Sequence, residues 1–177
     1  MLQLSNKKID KDFIMSAILQ SPGSEYIFRK MRETDLDEVM AIEESVYNYP
    51  WTRGIFSDCL NVGYFCWVLQ QQENIVAYSI MSVAADESHL LTIVVPEPEQ
   101  GKGYGKKMLD EMIRLAKKNG ANDMYLEVRM SNKAAIHLYH QRGFNELGVR
   151  ENYYPADDGR EDALILALNL TQDSTFN

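Results

Sequence analysis

The stretch Gln100-Gly101-Lys102-Gly103-Tyr104-Gly105-Lys106 decides how the rest of the chain is read. It follows an apolar, strand-like run from His89 to Val95. It opens a segment whose apolar residues Met108, Leu109, Met112, Ile113, Leu115 and Ala116 fall on one helical face. Glycines at such a junction let the backbone take positive φ and let a ligand come close. The first N–H groups of the helix have no internal partners and carry partial positive charge, so loop and helix together make a site for a pyrophosphate. A P-loop needs glycine at position 100 and serine or threonine at 107, where the chain has Gln100 and Lys107. A dinucleotide fingerprint begun at Gly101 or Gly103 ends on Lys106 or Met108 instead of glycine or alanine. Both of those nucleotide readings fail, while a glycine-rich turn without a ligand stays open on these residues alone.

Outward from the loop the chain keeps a regular period. Asn119-Gly120 offers a C-cap to the long helix. Then follow a strand from Met124 to Arg129, a helix from Lys133 to Arg142 stopped by Gly143, and strands from Phe144 to Tyr153 and Asp162 to Leu170. Before the loop, Tyr64 to Gln70, Ile75 to Val83 and His89 to Val95 read as an antiparallel meander, separated by Glu73-Asn74 and Asp86-Glu87-Ser88. Pro50-Trp51-Thr52 breaks the chain and caps a helix towards Leu60. Thr34-Asp35 offers an N-cap to a helix with Leu36, Val39, Met40 and Ile42 on one face, and Tyr26 to Arg32 alternates like a strand. The order predicts an α/β fold: a mixed, mostly antiparallel sheet of about seven strands flanked by about four helices. Residues 1–25 read as an extension ending in Ser21-Pro22-Gly23-Ser24, with a helical turn or two possible from Phe13 to Leu19. Residues 26–170 form the domain and 171–177 a polar tail.

The chain has 177 residues, which suits one domain, and 45% of them are hydrophobic, enough for an ordinary core. No run of about 18 apolar residues is present, and Met1 to Asp12 is polar, so neither a membrane span nor a secretion signal is expected and the location read is cytoplasmic. Cys59 and Cys66 follow no metal-ligand spacing and read as reduced packing residues. The formal charge of -8 disfavours a nucleic-acid partner and suits a basic peptide or a polyamine, although it also serves solubility. His137 and His140 stand i, i+3 without a third ligand and His89 stands alone, so no metal is expected. The oligomeric state is not readable.

The loop fits the pattern Q/R-x-x-G-x-G/A at Gln100, Gly103 and Gly105, and so resembles the coenzyme A pyrophosphate loop of the GNAT superfamily of N-acetyltransferases. Leu126-Glu127-Val128-Arg129, Ser131-Asn132, Ala134-Ala135-Ile136, Leu138-Tyr139 and Gly143-Phe144 stand in that family's order. Asn152-Tyr153-Tyr154-Pro155 with Asp158-Gly159-Arg160-Glu161-Asp162-Ala163 is narrower. It resembles the bacterial ribosomal-protein-alanine N-acetyltransferases, which acetylate the N-terminal residue of a small-subunit ribosomal protein, and Pro50-Trp51 has a counterpart there. The resemblance spans roughly residues 26 to 170. It implies the GNAT acyl-CoA N-acyltransferase fold, acetyl-CoA as co-substrate, and a protein N-terminal α-amine as acceptor. One departure is Pro96-Glu97-Pro98-Glu99, where relatives usually carry a single proline at the position of Glu97; two prolines stiffen the approach to the loop and remove two N–H donors.

The same resemblance implies roles for individual residues. Main-chain groups of Ile93, Val94 and Val95 bond the pantetheine arm, and residues Gln100, Gly101, Lys102, Gly103, Tyr104, Gly105 and Lys106 take the phosphates, with the lysines adding charge unless they are merely solvated. Asn132 matches a cofactor-contacting asparagine. Glu127 is the candidate base, acting directly or through a water, and its apolar strand neighbours suggest a dry environment; from spacing alone it also reads as a solvated edge glutamate. Tyr139 is the candidate acid, although a lone helical tyrosine is also an ordinary core residue. Trp51, Tyr153 and Tyr154 are candidates for the peptide side. An α-amine has a pKa near 8, so roughly a tenth is neutral at pH 7 and the base need not be strong. Proximity is worth on the order of 7–11 kcal/mol, more than the ~10²–10⁴-fold usual for proton transfer, so positioning is expected to dominate. A phenol of pKa ~10 is a weaker acid than a thiol of ~8.5, which favours a hydrogen bond to the departing thiolate over full transfer. Two other functions share these motifs: acetylation of a small amine such as a polyamine or aminoglycoside, and a non-catalytic acyl-CoA sensor. The presence of both Glu127 and Tyr139 argues against the sensor.

Overall fold

The computed structural model describes residues 26–157 and 159–171. The helical turn expected from Phe13 to Leu19, Asp158 of the C-terminal motif and all but the first residue of the polar tail lie outside them. The periodicities resolve into β1 (Tyr26–Lys30), α1 (Leu36–Val46), α2 (Arg53–Asn61), β2 (Phe65–Gln71), β3 (Asn74–Ala84), β4 (Glu87–Val94), α3 (Tyr104–Lys118), β5 (Asp123–Arg129), α4 (Lys133–Gln141), β6 (Asn145–Ala156) and β7 (Gly159–Asn169). This is the order expected from the sequence.

One sheet holds all seven strands in the order β1-β2-β3-β4-β5-β7-β6. The meander β2-β3-β4 is antiparallel as expected, β4 and β5 run parallel, and β7 inserts between β5 and β6. A parallel pair needs a crossover, and α3 supplies it. On one face α3 seats Met108, Leu109 and Met112 against Ala77, Met81, Met124 and Leu166. On the other, Leu36, Val39 and Phe56 from α1 and α2 cover Val68, Tyr78 and Ile80. A strand covered on both sides has no polar alternation, and β3 is buried without a break from Ile75 to Met81. Residues of β5, β6 and β7 take no part in the second cluster, which leaves that face of the C-terminal half open.

The entry to α1 differs from expectation. A 3₁₀ turn, Glu33–Asp35, precedes the helix, and the Asp35 side chain makes no cap bond to it. The carboxylate instead accepts from the Arg29 guanidinium at 2.7 and 2.9 Å and from the Arg32 amide at 2.7 Å. Asp35 therefore ties the edge strand to the turn, a use of aspartate that local spacing does not reveal.

The Arg29 hydrogen bonds hold the Asp35 carboxyl below its ordinary value of 3.8. With a lowered folded pKa, the stabilisation is complete above that ordinary value and is lost as pH falls through the lowered one. Asp35→Asn should cost about 1–2 kcal/mol at pH 7. Between roughly pH 4 and pH 2 its chemical-denaturation stability should fall less steeply than that of the wild type. Parallel slopes would show that this carboxylate does not titrate with folding.

Candidate active site

The site begins where β4 leaves β5. Their parallel ladder runs from Glu87↔Asp123 to Leu90↔Leu126 and no ladder pair follows. On its other edge β4 carries a bulge: Met81 faces Leu90 and Ile80 faces Thr92, so Leu91 is the extra residue, and its side chain is 41% exposed. A bulge bends the strand that carries it, and the bend coincides with the end of the ladder. The gap between the strand ends opens into two cavities, of about 990 Å³ and about 650 Å³, which share Ile93, Arg129, Asn132 and Tyr139.

The larger cavity is lined by Ile93, Val94 and Val95 of the bent strand, by the loop residues Gln100, Gly101, Gly103, Tyr104, Gly105 and Lys106, and by α4. The 3₁₀ turn Glu97–Glu99, with Pro96 before it and Pro98 within it, delivers the chain to the loop. Gly101 and Gly103 take φ of 76° and 83°, values an L side chain rarely adopts, and Gly103 is the N-cap of α3. The Gln100 amide donates to the Val95 carbonyl at 3.0 Å and so pins the loop back on β4. Lys102 turns aside: its ammonium pairs with Glu99 at 3.0 Å and its side chain is not part of the lining. Asn132 caps α4, its Oδ1 accepting from the Ala135 amide at 3.1 Å, while facing both cavities. This cavity, lined by the glycine loop and headed by the N-terminus of α3, offers its N–H groups to an anionic group.

Glu127, Trp51, Tyr153 and Tyr154 come together around the smaller cavity, and Tyr139 stands where the two meet. Glu127 is not in the dry surroundings expected from its strand. It projects from the open sheet face, about a quarter exposed, with Oε1 2.9 Å from Arg150, and it hydrogen-bonds Tyr153. Tyr139 is 8% exposed, packs against Phe144 at 5.6 Å, and has its hydroxyl pushed well above the ordinary value by burial. That phenol stays protonated at neutral pH and can only donate or accept a hydrogen bond. Burial also raises Tyr154, whose hydroxyl donates to the Glu127 carbonyl at 3.1 Å. Trp51 leans on Phe56 at 5.7 Å.

Reading the sequence missed several residues of this site. Tyr47 lines both cavities and is raised by burial and then by Glu43. Arg150 pairs with Glu127 and lies over Tyr153, and Arg129 lies 4.5 Å over the Tyr154 ring. The residues after the β6–β7 turn serve as supports. Arg160 donates to the carbonyls of Asn152 and Tyr153 at 2.5 Å each, and Asp162 accepts from the Asn152 amide at 2.8 Å. Glu161 holds Arg129 at 3.1 Å and the Ser131 amide at 2.7 Å. Together they fix a bulge between Arg150 and Tyr154, with Asn152 at φ 52°, that sends both tyrosines into the cavity.

Two of the three histidines also line the cavities, His89 the smaller and His137 the larger. His89 stacks on Tyr125 at 5.4 Å, His137 bonds Gln141 at 2.9 Å, and His140 reaches the Phe144 carbonyl at 3.2 Å. Among the described residues no group of three or more potential ligands could hold a metal ion, and no helix is long and apolar enough to cross a membrane. Cys59 and Cys66 are buried and free.

Residues 28–144 match the model of the Acetyltransferase (GNAT) family. The chain is 39% identical over 141 residues to the [ribosomal protein bS18]-alanine N-acetyltransferase of Escherichia coli K12, covering 80% of this chain and 95% of the relative. The enzyme of the same name from Haemophilus ducreyi is 37% identical over 139 residues, 78% and 96% of the two chains. The crystal structure of the ribosomal-protein-S18-alanine N-acetyltransferase from E. coli superimposes with a TM-score of 0.79 at 36% identity, over 86% of this chain and 99% of that one. Ard1 of Thermoplasma volcanium shares the fold at 21% identity, with a TM-score of 0.75 over 83% of this chain and 99% of that one. Strand order, glycine loop and sequence thus agree: the chain belongs to the GNAT family of N-acetyltransferases, whose acetyl donor is acetyl-CoA.

Proposed function

We propose that this acetyltransferase modifies the N-terminal α-amine of a protein, and that its acceptor is the N-terminal alanine of a small-subunit ribosomal protein. The observation that carries this reading is the pair of cavities meeting at Tyr139, with Glu127 on the second one. Both named relatives are acetyltransferases of that kind over nearly their whole length. A peptide acceptor also suits the open face of β5 and β7, which leaves room for an extended chain beside Glu127, Ile165 and Tyr125.

In this mechanism the main chain of Ile93 to Val95 aligns the pantetheine arm as an added strand, and the amides of Gly101 to Lys106 hold the diphosphate. Lys106 supplies the loop's charge on the cavity side, and Lys102 supplies none there. Glu127, held by Arg150 and Tyr153, takes the proton from the attacking ammonium directly or through a water. The amine nitrogen bonds to the thioester carbonyl carbon, the C–S bond breaks, and the electron pair leaves on sulfur. Tyr139 hydrogen-bonds that thiolate, since its raised pKa opposes full transfer; the proton lost by the nitrogen completes the thiol. Trp51, Tyr153 and Tyr154 wall the acceptor's path.

Purified protein with acetyl-CoA and a peptide beginning with alanine, copied from the ribosomal protein, should add one acetyl group to the α-amine by mass spectrometry. Turnover of polyamines with none on peptides would assign the site to small amines. Tyr139→Phe should lower kcat roughly 10–100-fold with acetyl-CoA affinity kept. Glu127→Gln should lower kcat about 100-fold at pH 7 and recover part of it towards pH 9, where the amine deprotonates unaided. A Glu127→Gln enzyme with wild-type kcat at pH 7 would remove that residue from the proton path. Gly103→Ala, which forces a Cβ to φ 83°, should weaken coenzyme A about tenfold by calorimetric titration.

A further inference from the structure

We infer that Glu43 is a second carboxylate of the acceptor site, and that the cation it lacks in the protein is the acceptor's own ammonium group. The inference rests on the reading of the smaller cavity as the amine site.

Glu43 lies on the core-facing side of α1 and is only 3% exposed. Both oxygens accept hydrogen bonds: Oε1 from the Trp51 amide at 2.9 Å, and Oε2 from the buried Tyr78 hydroxyl in a short contact. Neither donor carries charge. Among the described residues no lysine, arginine or histidine forms an ion pair with Glu43, and the two arginines of the cavity are committed elsewhere, Arg129 to Glu161 and Arg150 to Glu127. Burying a carboxylate without a counter-charge is expensive, and two neutral donors offset only part of the cost. A glutamine here would keep the packing at less expense, so the charge itself calls for a use.

Its position supplies one. Glu43 lines the smaller cavity from α1, and Glu127 lines it from β5. Tyr47 stands beside Glu43 and borders both cavities; the neighbouring Tyr139 and Tyr154 complete a cluster of phenols that can hydrogen-bond an N–H donor without neutralising it. With Glu127 paired to Arg150 and Arg129 to Glu161, the charge left unbalanced beside an entering substrate cation is that of Glu43, in a setting of low dielectric. Glu127 touches the amine and takes its proton, whereas Glu43 draws the ammonium in by its charge from beside Tyr47, whose hydroxyl bonds Thr92. Glu43 is a positioning residue. It also fixes the 47–51 loop through the Trp51 amide, so the same side chain builds the wall and charges it.

The isosteric Glu43→Gln separates these two tasks, because the amide oxygen can still accept from the Trp51 amide and its NH₂ can donate to the Tyr78 oxygen, although the Tyr78 hydroxyl proton then loses its acceptor. For wild type and variant, KM for the alanine peptide, KM for acetyl-CoA, kcat and thermal midpoint are measured together. Acceptor KM should rise about tenfold, with acetyl-CoA KM and kcat within about twofold, while the midpoint falls only by what the buried Tyr78 hydroxyl loses. An unchanged acceptor KM overturns the inference and leaves the proposed function intact; a wild-type enzyme that transfers to no α-amine overturns both. Should the variant fail to fold, the partly exposed Glu127→Gln protein gives the second measurement. Loaded with coenzyme A, it should bind the alanine peptide about tenfold more tightly than the same peptide with its α-amino group replaced by hydrogen. Equal affinities would show that no ammonium is held once Glu127 is neutral, and Glu43 would lose the role.

Discussion

The parting of β4 from β5 is the constraint on which the rest of the molecule depends. Four parallel register pairs hold the strands together up to Leu90 and Leu126; then the extra residue Leu91 bends β4 away. Had the ladder continued, Ile93 and Glu127 would sit in a closed sheet, with no room for a thioester between them. The divergence does two things at once. It frees one edge of Ile93 to Val95 to be bonded by a ligand, and it turns Glu127 and Arg129 to line a cavity that Ile93 also reaches. In the proposed mechanism the loop of glycines and α3 then has only to hold the far end of the ligand. Edge strands usually invite aggregation, and here an internal edge is exposed only within a cleft.

A second set of supports fixes the other wall. β6 carries its own bulge, and the polar residues Arg160, Glu161 and Asp162 on β7 hold it open with hydrogen bonds to the backbone at 152–153, to Arg129 and to the Ser131 amide. These side chains look like a recognition motif in the sequence, yet Arg160 and Asp162 act on the site only through the backbone that carries Tyr153 and Tyr154, while Glu161 braces Arg129 and also borders the larger cavity. That is a strict requirement, because each one answers a particular main-chain group at 2.5–2.8 Å.

What was legible in the sequence follows from this division. Helices and strands were readable because each writes its own period: Met108 to Ala116 marks the face of α3, and the alternation around Tyr125 marks β5. The turn of the glycine loop was readable because positive φ favours glycine at Gly101 and Gly103. The bulges were not. A single inserted residue between Leu90 and Thr92 leaves two adjacent leucines, a pattern equally natural in any strand. Lys102 could not be told from Lys106 by spacing, since only the turn of the loop sends one to Glu99 and the other to the cavity. Asp35 was read as a cap because a local partner is the usual one, whereas Arg29 wins it through a charged, two-pronged contact. Glu43 did leave a trace. It falls four residues after Val39 and seven after Leu36, on the apolar stripe of α1, where a glutamate has to be explained.

The distribution of charge in the cleft explains why the site can use modest groups. Its phenols are neutral near physiological pH, and burial raises Tyr47, Tyr139 and Tyr154 further above their ordinary value. Both arginines are bound to carboxylates, so neither is free to repel an incoming ammonium. The remaining imbalance is negative. Such a cleft favours the amine in its charged form on arrival and must then release one proton before attack. With roughly a tenth of an α-amine neutral at pH 7, that release costs little more than 1 kcal/mol, far less than the alignment of amine and thioester contributes. A lysine side chain, with a pKa near 10.4, would need more than 3 kcal/mol for the same step. In the proposed mechanism the cavity therefore discriminates by proton affinity as well as by shape, because Glu127, braced by Arg150, suits an amine that gives up its proton readily.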